Sequence, residues 1–301
     1  MKSFAIVGAG AVGCYYGARL AQAGHDIRFL LRSDFGQISQ NGISVRSIHG
    51  DFDLPEVNCF QHSSEMGCVD VVIVAWKATS NAHYQSVIEP LMHDETVILT
   101  LQNGLGNVEQ LGEIFGNTRV LGGLCFVCIN RLAPGEIHHS GGGPIAMGES
   151  ILGVTDRLKH LSDLFKGARI ECEIAPNLGE AQWRKLVWNI PFNGLCITEG
   201  GIDTKALLAS PEGEQKVRAL MKEVIGAANH VGFIIEDDYA EVQLNRTYPM
   251  GPYRPSSMID YVEKREVEVE AIWGEPLRRA QQAGAPVTLL QRLYEQIVQL
   301  T

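Results

Sequence analysis

Residues 1–175 read as an α/β domain built on a mostly parallel sheet, and residues 176–301 as an all-helical domain. Three observations point there. The chain opens as strand, glycine turn, helix, strand. Its first half holds continuous apolar runs, the signature of parallel strands covered on both faces. Past Pro176 such runs become scarce and helical spacing takes over.

Phe4–Val7 is a short buried strand, followed by a glycine turn. Val12, Tyr16 and Leu20 then recur at helical spacing up to a stop near Gly24. Asp26–Leu31 is the next strand, which completes a βαβ unit. "GISVRSIHGDFDLPEV" alternates around a His-Gly-Asp turn and predicts a hairpin. "VDVVIVAWK", "ETVILTLQNG" and "RVLGGLCFVCINR" are further strands, and "PGEIHHSGGGPIAMGE" is expected to form a second hairpin. The helical half is expected at 178–190, 211–232, 236–245, 258–282 and 286–300. It is interrupted by the proline-rich loop "TYPMGPYRPSS". Two domains of different character predict a ligand bound where they meet.

Composition narrows the function classes. A net charge of −10 leaves no clustered basic excess, so no nucleic-acid partner is expected. No apolar run has the length of a membrane span, and no secretory signal is visible, so neither a membrane nor export is expected. The seven cysteines are then read as reduced thiols of a cytoplasmic protein. Cys125 and Cys128 form a C-x-x-C inside an apolar string, which predicts a buried strand over a redox or zinc motif. His138 and His139 are adjacent, and adjacent strand residues face opposite ways, so no metal site is expected.

Two motifs carry chemistry. Gly8, Ala9, Gly10, Ala11, Val12 and Gly13 form a G-x-G-x-x-G turn between a strand and a helix. Gly8 permits the turn, Gly10 lets backbone approach a pyrophosphate, and Gly13 allows close helix–strand packing. The helix N-terminus then favours the negative charge. An acid usually ends the second strand when NAD is bound; here Arg32 stands there, with Asp34 two residues later. A guanidinium suits a 2′-phosphate, so NADP(H) is the expected cofactor. Lys77 and Asn103 lie just past the carboxyl ends of their strands, the edge where ligands bind in open α/β sheets.

The second motif is "WRKLVWNIPFN", residues 183–193. Lys185, Asn189 and Asn193 recur every fourth position, so on a helix they stack on one face, beside Pro191, which cannot donate an amide hydrogen. By itself such a column is either a solvated stripe or a polar site.

Taken together, these motifs resemble the ketopantoate reductases (2-dehydropantoate 2-reductases). The likeness rests on "GAGAVG" with Arg32, "WKA" at 76–78, "QNGLGN" at 102–107, "WRKL" with the two asparagines, and "PSSM" before an acidic stretch ending "LRRA". The resemblance implies a Rossmann-type domain followed by an all-α domain like that of 6-phosphogluconate dehydrogenase. It implies NADPH-dependent reduction of ketopantoate, a small 2-oxo acid, to pantoate in pantothenate biosynthesis. Lys185 matches the catalytic lysine, and Glu268 a glutamate near the cofactor and reacting carbon. Asn189, Asn193 and Ser257 match substrate contacts. Lys77, Asn103 and the backbone near Cys128 match cofactor contacts, with Asn103 also near substrate. Departures are Gly194 where the family often has proline, the bulky Trp76, and Asp203 near a usual asparagine. Spacing alone does not separate Glu268 from Glu263, Glu266 and Glu270.

A related reductase of another 2-oxo acid and a non-catalytic NADP-binding sensor are the rival readings; a sensor has no need of the lysine–asparagine column. The sequence leaves the oligomeric state open, a homodimer being one arrangement available to it.

Overall fold

The computed structural model describes residues 1–301. Its strands are β1 (Ser3–Val7), β2 (Asp26–Leu30), β3 (Ile43–Ser47), β4 (Phe52–Leu54), β5 (Asn58–Phe60), β6 (Val71–Val74), β7 (Val97–Thr100), β8 (Val120–Ala133), β9 (Glu136–Glu149) and β10 (Cys172–Ile174). Helices α1 (Ala11–Gln22), α2 (Phe35–Asn41), α3 (Tyr84–Ile88), α4 (Asn107–Phe115) and α5 (Asp156–Gly167) belong with them. Then come α6 (Leu178–Thr198), α7 (Thr204–Leu208), α8 (Pro211–Val231), α9 (Tyr239–Thr247), α10 (Ser256–Val262), α11 (Glu275–Gln282) and α12 (Thr288–Leu300). The chain forms two compact units, residues 1–102 with 107–178, and residues 103–106 with 179–301.

In the first unit all ten strands form one sheet, ordered β4-β3-β9-β8-β7-β6-β1-β2-β5, with β10 beside β9. Only β3–β4 and β8–β9 pair antiparallel. The mostly parallel Rossmann-type sheet expected from the sequence is therefore present. Strand β1 lies between β2 and β6, so the chain order reverses there. Such a switch point, outside the carboxyl ends of the strands, is where open α/β sheets bind ligands. Register levels the ends: Val7 pairs with Leu30 and with Val74, and Val74 with Thr100. Phe4, Ile6, Tyr16, Phe29, Ile73 and Leu99 are among the side chains of its core.

The second unit is helical, as expected. Its core gathers Trp183, Leu186, Val187 and Ile190 of α6 with Val217, Met221, Val224, Trp273, Leu290 and Ile297. Helix α6 runs through Pro191 to Thr198, beyond the expected end at 190. Helix α9 begins at Tyr239 rather than 236.

Three expectations are corrected. Residues 134–149 are not a hairpin: β9 is one strand, and the reversal is at Pro134–Gly135, between β8 and β9. The glycines at 141–143 form a bulge within it, where Cys125 and Val127 face Ile145 and Gly142. The expected helix 258–282 is broken. Lys264 adopts a left-handed φ of 56° after α10, and a π-helical turn, Glu270–Gly274, precedes α11. Cys125 and Cys128 do lie on a strand, β8, but both are half-exposed rather than buried. His138 is exposed and His139 buried, as alternation requires.

Candidate functional site

At the switch point the glycine turn meets the packing demands expected at Gly8 and Gly13. Gly8 has φ 96°, and a Cβ there would lie 2.2 Å from the Trp76 amide nitrogen. A Cβ at Gly13 would lie 2.3 Å from the Gly8 carbonyl oxygen, so α1 packs on the turn only with glycine. At Gly10 a Cβ would meet nothing within 4 Å; the missing side chain opens onto free space. Gly10 is the N-cap of the twelve-residue α1, with no side-chain capping bond. The amides of its first turn therefore lack intrahelical partners, an arrangement that suits an anion.

Arg32 follows the end of β2, and its side chain is exposed. Asp34, the competing acid, is only 5% exposed. It accepts from the Ser33 hydroxyl at 2.8 Å and pairs with the Arg131 guanidinium. Its carboxylate is thus engaged within the protein, and Arg32 is the charged group this strand end presents. Lys77 follows β6, half-buried, and starts a 3₁₀ turn. Cys128 lies opposite Gly141 in the β8–β9 ladder.

In the second unit the lysine–asparagine column is not a solvated stripe. Asn189 is 7% exposed and Asn193 2%. Lys185 is half-buried and donates through Nζ to Asn103 Oδ1 at 2.9 Å. Asn193 acts as a brace: its Nδ2 donates to the Asn189 carbonyl at 3.1 Å, and its Oδ1 accepts the Ser257 amide at 2.9 Å. Ser257, buried, is thereby held against α6 at the start of α10. The Asn189 carboxamide itself makes no hydrogen bond to the protein. So the column divides into a tethered amine, a buried carboxamide with capacity to spare, and a brace. Such a set can bind an oxygen-rich ligand.

Burial also separates the glutamates. Glu263 and Glu266 are exposed, and Glu270 bonds to Arg278 and Tyr294. Glu268 is 8% exposed, and its carbonyl accepts Ile272 N–H at 3.1 Å as the chain enters the π-helical turn. That turn anchors Asn103: the Leu105 amide donates to the Ala271 carbonyl at 2.8 Å. Gly104, φ 81°, crosses so closely that a Cβ would lie 2.1 Å from the same oxygen. Strand β7 ends at Thr100, so Asn103 belongs to this junction rather than to a strand end, and the two glycines of "QNGLGN" are its signal in the sequence.

Two departures from the family pattern have structural explanations. Asp203 is the N-cap of α7, accepting the Ala206 amide at 2.8 Å. At Gly194 a Cβ would lie 2.6 Å from Leu293, so the position serves close packing.

The model of the family described as ketopantoate reductase PanE/ApbA matches residues 4–150, and that of its C-terminal domain residues 177–301. A "2-dehydropantoate 2-reductase" of Nostoc sp. is 42% identical over 98% of this chain and 94% of its own length. The crystal structure of the enzyme of that name from Geobacter metallireducens superposes with a TM-score of 0.97 at 43% identity, covering 99% of this chain and all of the other. D-mandelate dehydrogenase with NADH and anilino(oxo)acetate, at 21% identity and a TM-score of 0.89 over 99% of this chain and 97% of its own, shares the fold. The chain belongs to the ketopantoate reductase PanE/ApbA family.

Proposed function

We propose that this protein is an NADPH-dependent oxidoreductase that reduces 2-dehydropantoate (ketopantoate) to pantoate, the reductive step of pantothenate biosynthesis. The observation that carries the reading is the buried column of α6, in which Lys185 is tethered to Asn103 and the Asn189 carboxamide is unspent. Full-length similarity to a protein bearing that enzyme name supports it.

Gly8, Ala9, Gly10, Ala11, Val12 and Gly13 would cradle the cofactor's pyrophosphate, Arg32 would take the 2′-phosphate, and Lys77, Asn103 and the Cys128 backbone would line it. Engagement of Asp34 favours the phosphorylated cofactor, because the acid nearest Arg32 is already paired. When bound, the nicotinamide supplies the hydride. The Lys185 ammonium would donate to the ketone oxygen, stabilise the developing alkoxide and supply its proton. Asn189 orients the substrate's oxygens, and Asn193 holds Ser257 where its hydroxyl meets the carboxylate. Glu268, a buried carboxyl, would lie near the cofactor and the reacting carbon.

Following NADPH absorbance with ketopantoate tests the activity. Lys185→Ala is expected to lower kcat by about 10²–10³, the cost of one donor to a developing oxyanion (about 2.7–4 kcal/mol). NADPH affinity, read by fluorescence titration, should persist. A folded Lys185→Ala enzyme with near-normal turnover would exclude the lysine as the acid.

A further inference from the structure

We propose that Trp188, backed by Tyr253, is the specificity-determining wall of the substrate site. On this view the enzyme selects 2-oxo acids carrying a compact branched aliphatic group. The inference rests on the reductase reading above and extends it to a residue that reading does not use.

Trp188 follows Lys185 by three residues and precedes Asn189 by one. On a helix, residues three apart are surface neighbours, so Trp188 and Lys185 leave α6 from adjacent positions. Phe192, one turn further on, is fully buried, whereas Trp188 is half-buried. The two rings lie 4.9 Å apart, tilted by 31°.

The indole is held at its far side too. Its Nε1–H donates to Thr247 Oγ1 at 2.9 Å. Thr247 is buried, and its hydroxyl donates in turn to the Gln243 carbonyl at 2.7 Å. The Tyr253 ring sits 6.0 Å from the indole. Tyr253 is fixed through its backbone: its carbonyl accepts Thr204 N–H at 2.9 Å, and its amide donates to Gly251 at 2.8 Å. The Thr204 hydroxyl also donates to the Gly251 carbonyl at 3.0 Å.

Residues 253–257 therefore run from the Trp188 ring to the Asn193 carboxamide, which receives the Ser257 amide. The two anchors lie on either side of Asn189. A ligand held by the Asn189 carboxamide has a polar flank, Asn193 with Ser257, and an apolar flank, Trp188 with Tyr253. A 2-oxo acid has the same two-sided character: carboxylate and ketone at one end, a carbon substituent at the other. The substituent packs on the indole. Because a hydrogen bond and two aromatic contacts fix that ring, it cannot recede for a larger group.

The test is a kcat/KM panel with ketopantoate, 2-oxoisovalerate and phenylpyruvate on wild type, Trp188→Ala, Trp188→Leu and Trp188→Phe. Trp188→Ala should raise the ratio of phenylpyruvate to 2-oxoisovalerate by about tenfold or more, since one methylene in an apolar pocket is already worth about 10–200-fold. The loss with the two compact substrates should fall on KM, with kcat nearly kept because Lys185 is untouched. Trp188→Phe should retain the wild-type ranking. Trp188→Leu removes less and should shift the ratio in the same direction; it is read instead if the alanine variant does not fold. An unchanged ranking in whichever truncation folds overturns the inference while leaving the reductase reading intact. A wild-type enzyme that reduces none of the three acids overturns both.

Discussion

Gly104→Ala probes how the site is assembled. At φ 81° an alanine carries left-handed strain of about 1–2 kcal/mol. Its Cβ would also lie 2.1 Å from the Ala271 carbonyl oxygen, a backbone atom with little room to move. The loop must back away, and doing so breaks the Leu105 amide bond to that oxygen, worth about 0.5–1.5 kcal/mol. The expected loss of stability is therefore about 2–3 kcal/mol. Three of the four tryptophans, Trp183, Trp188 and Trp273, lie in the second unit, so urea denaturation followed by fluorescence reads it directly. Asn103 moves with the loop and releases Lys185, so turnover should fall as well, by up to about a hundredfold for a displacement near 1 Å. If Gly104→Ala matches wild type in both stability and kcat, the glycine is not the pivot of this junction.

Arg32→Ala should raise KM for NADPH by about ten- to hundredfold while leaving that for NADH almost unchanged, since a charge-assisted bond is worth about 1.5–3 kcal/mol; equal losses with both cofactors would refute its role at the 2′-phosphate. Asp70 offers a pH test. Burial pushes its carboxyl up, but the Ser3 amide, the Lys2 ammonium and the Ser3 hydroxyl outweigh it and hold the group down at about 2, from an ordinary 3.8. A lowered carboxylate pKa stabilises the fold above its unfolded value and loses that contribution as pH falls through the folded one. Melting temperatures of wild type and Asp70→Asn should therefore differ fully above about pH 4 and converge as pH falls toward about 2. A gap that does not change with pH would count against the linkage.

What the sequence disclosed was local. The glycine turn, the hairpin around His49 and Gly50, and the apolar strands announce themselves through spacing within a dozen residues. The misread segments involve partners far along the chain. Alternation in 134–149 runs through a glycine cluster that looks like a turn until β8 is laid beside it. Asp34 looked like a free competitor of Arg32, because Arg131, which occupies it, lies 97 residues on. The break in 258–282 had a modest signal, Pro276, but the left-handed Lys264 had none. Helix α5 has a local signal too: Thr155 caps the Leu158 amide at 3.2 Å, and Leu158, Leu161 and Phe165 follow at helical spacing. At the site, spacing showed that Lys185, Asn189 and Asn193 share a face. Only burial showed that the face is interior, and only burial separates Glu268 from its neighbours.

Helix α6 is buried along nearly its whole length, with Trp183, Leu186, Val187, Ile190, Phe192 and Ile197 in the core of its unit. Its amides are expected to exchange with solvent only when that unit opens as a whole, whereas the 248–255 loop, outside any long helix, is expected to exchange more readily. The polar column thus sits on one of the slowest-exchanging elements, and its geometry lasts as long as the folded unit does. Inactivation by heat should coincide with cooperative melting rather than precede it. Sequence drift in the loop, by contrast, can retune what is bound without loosening the amine and carboxamides beneath.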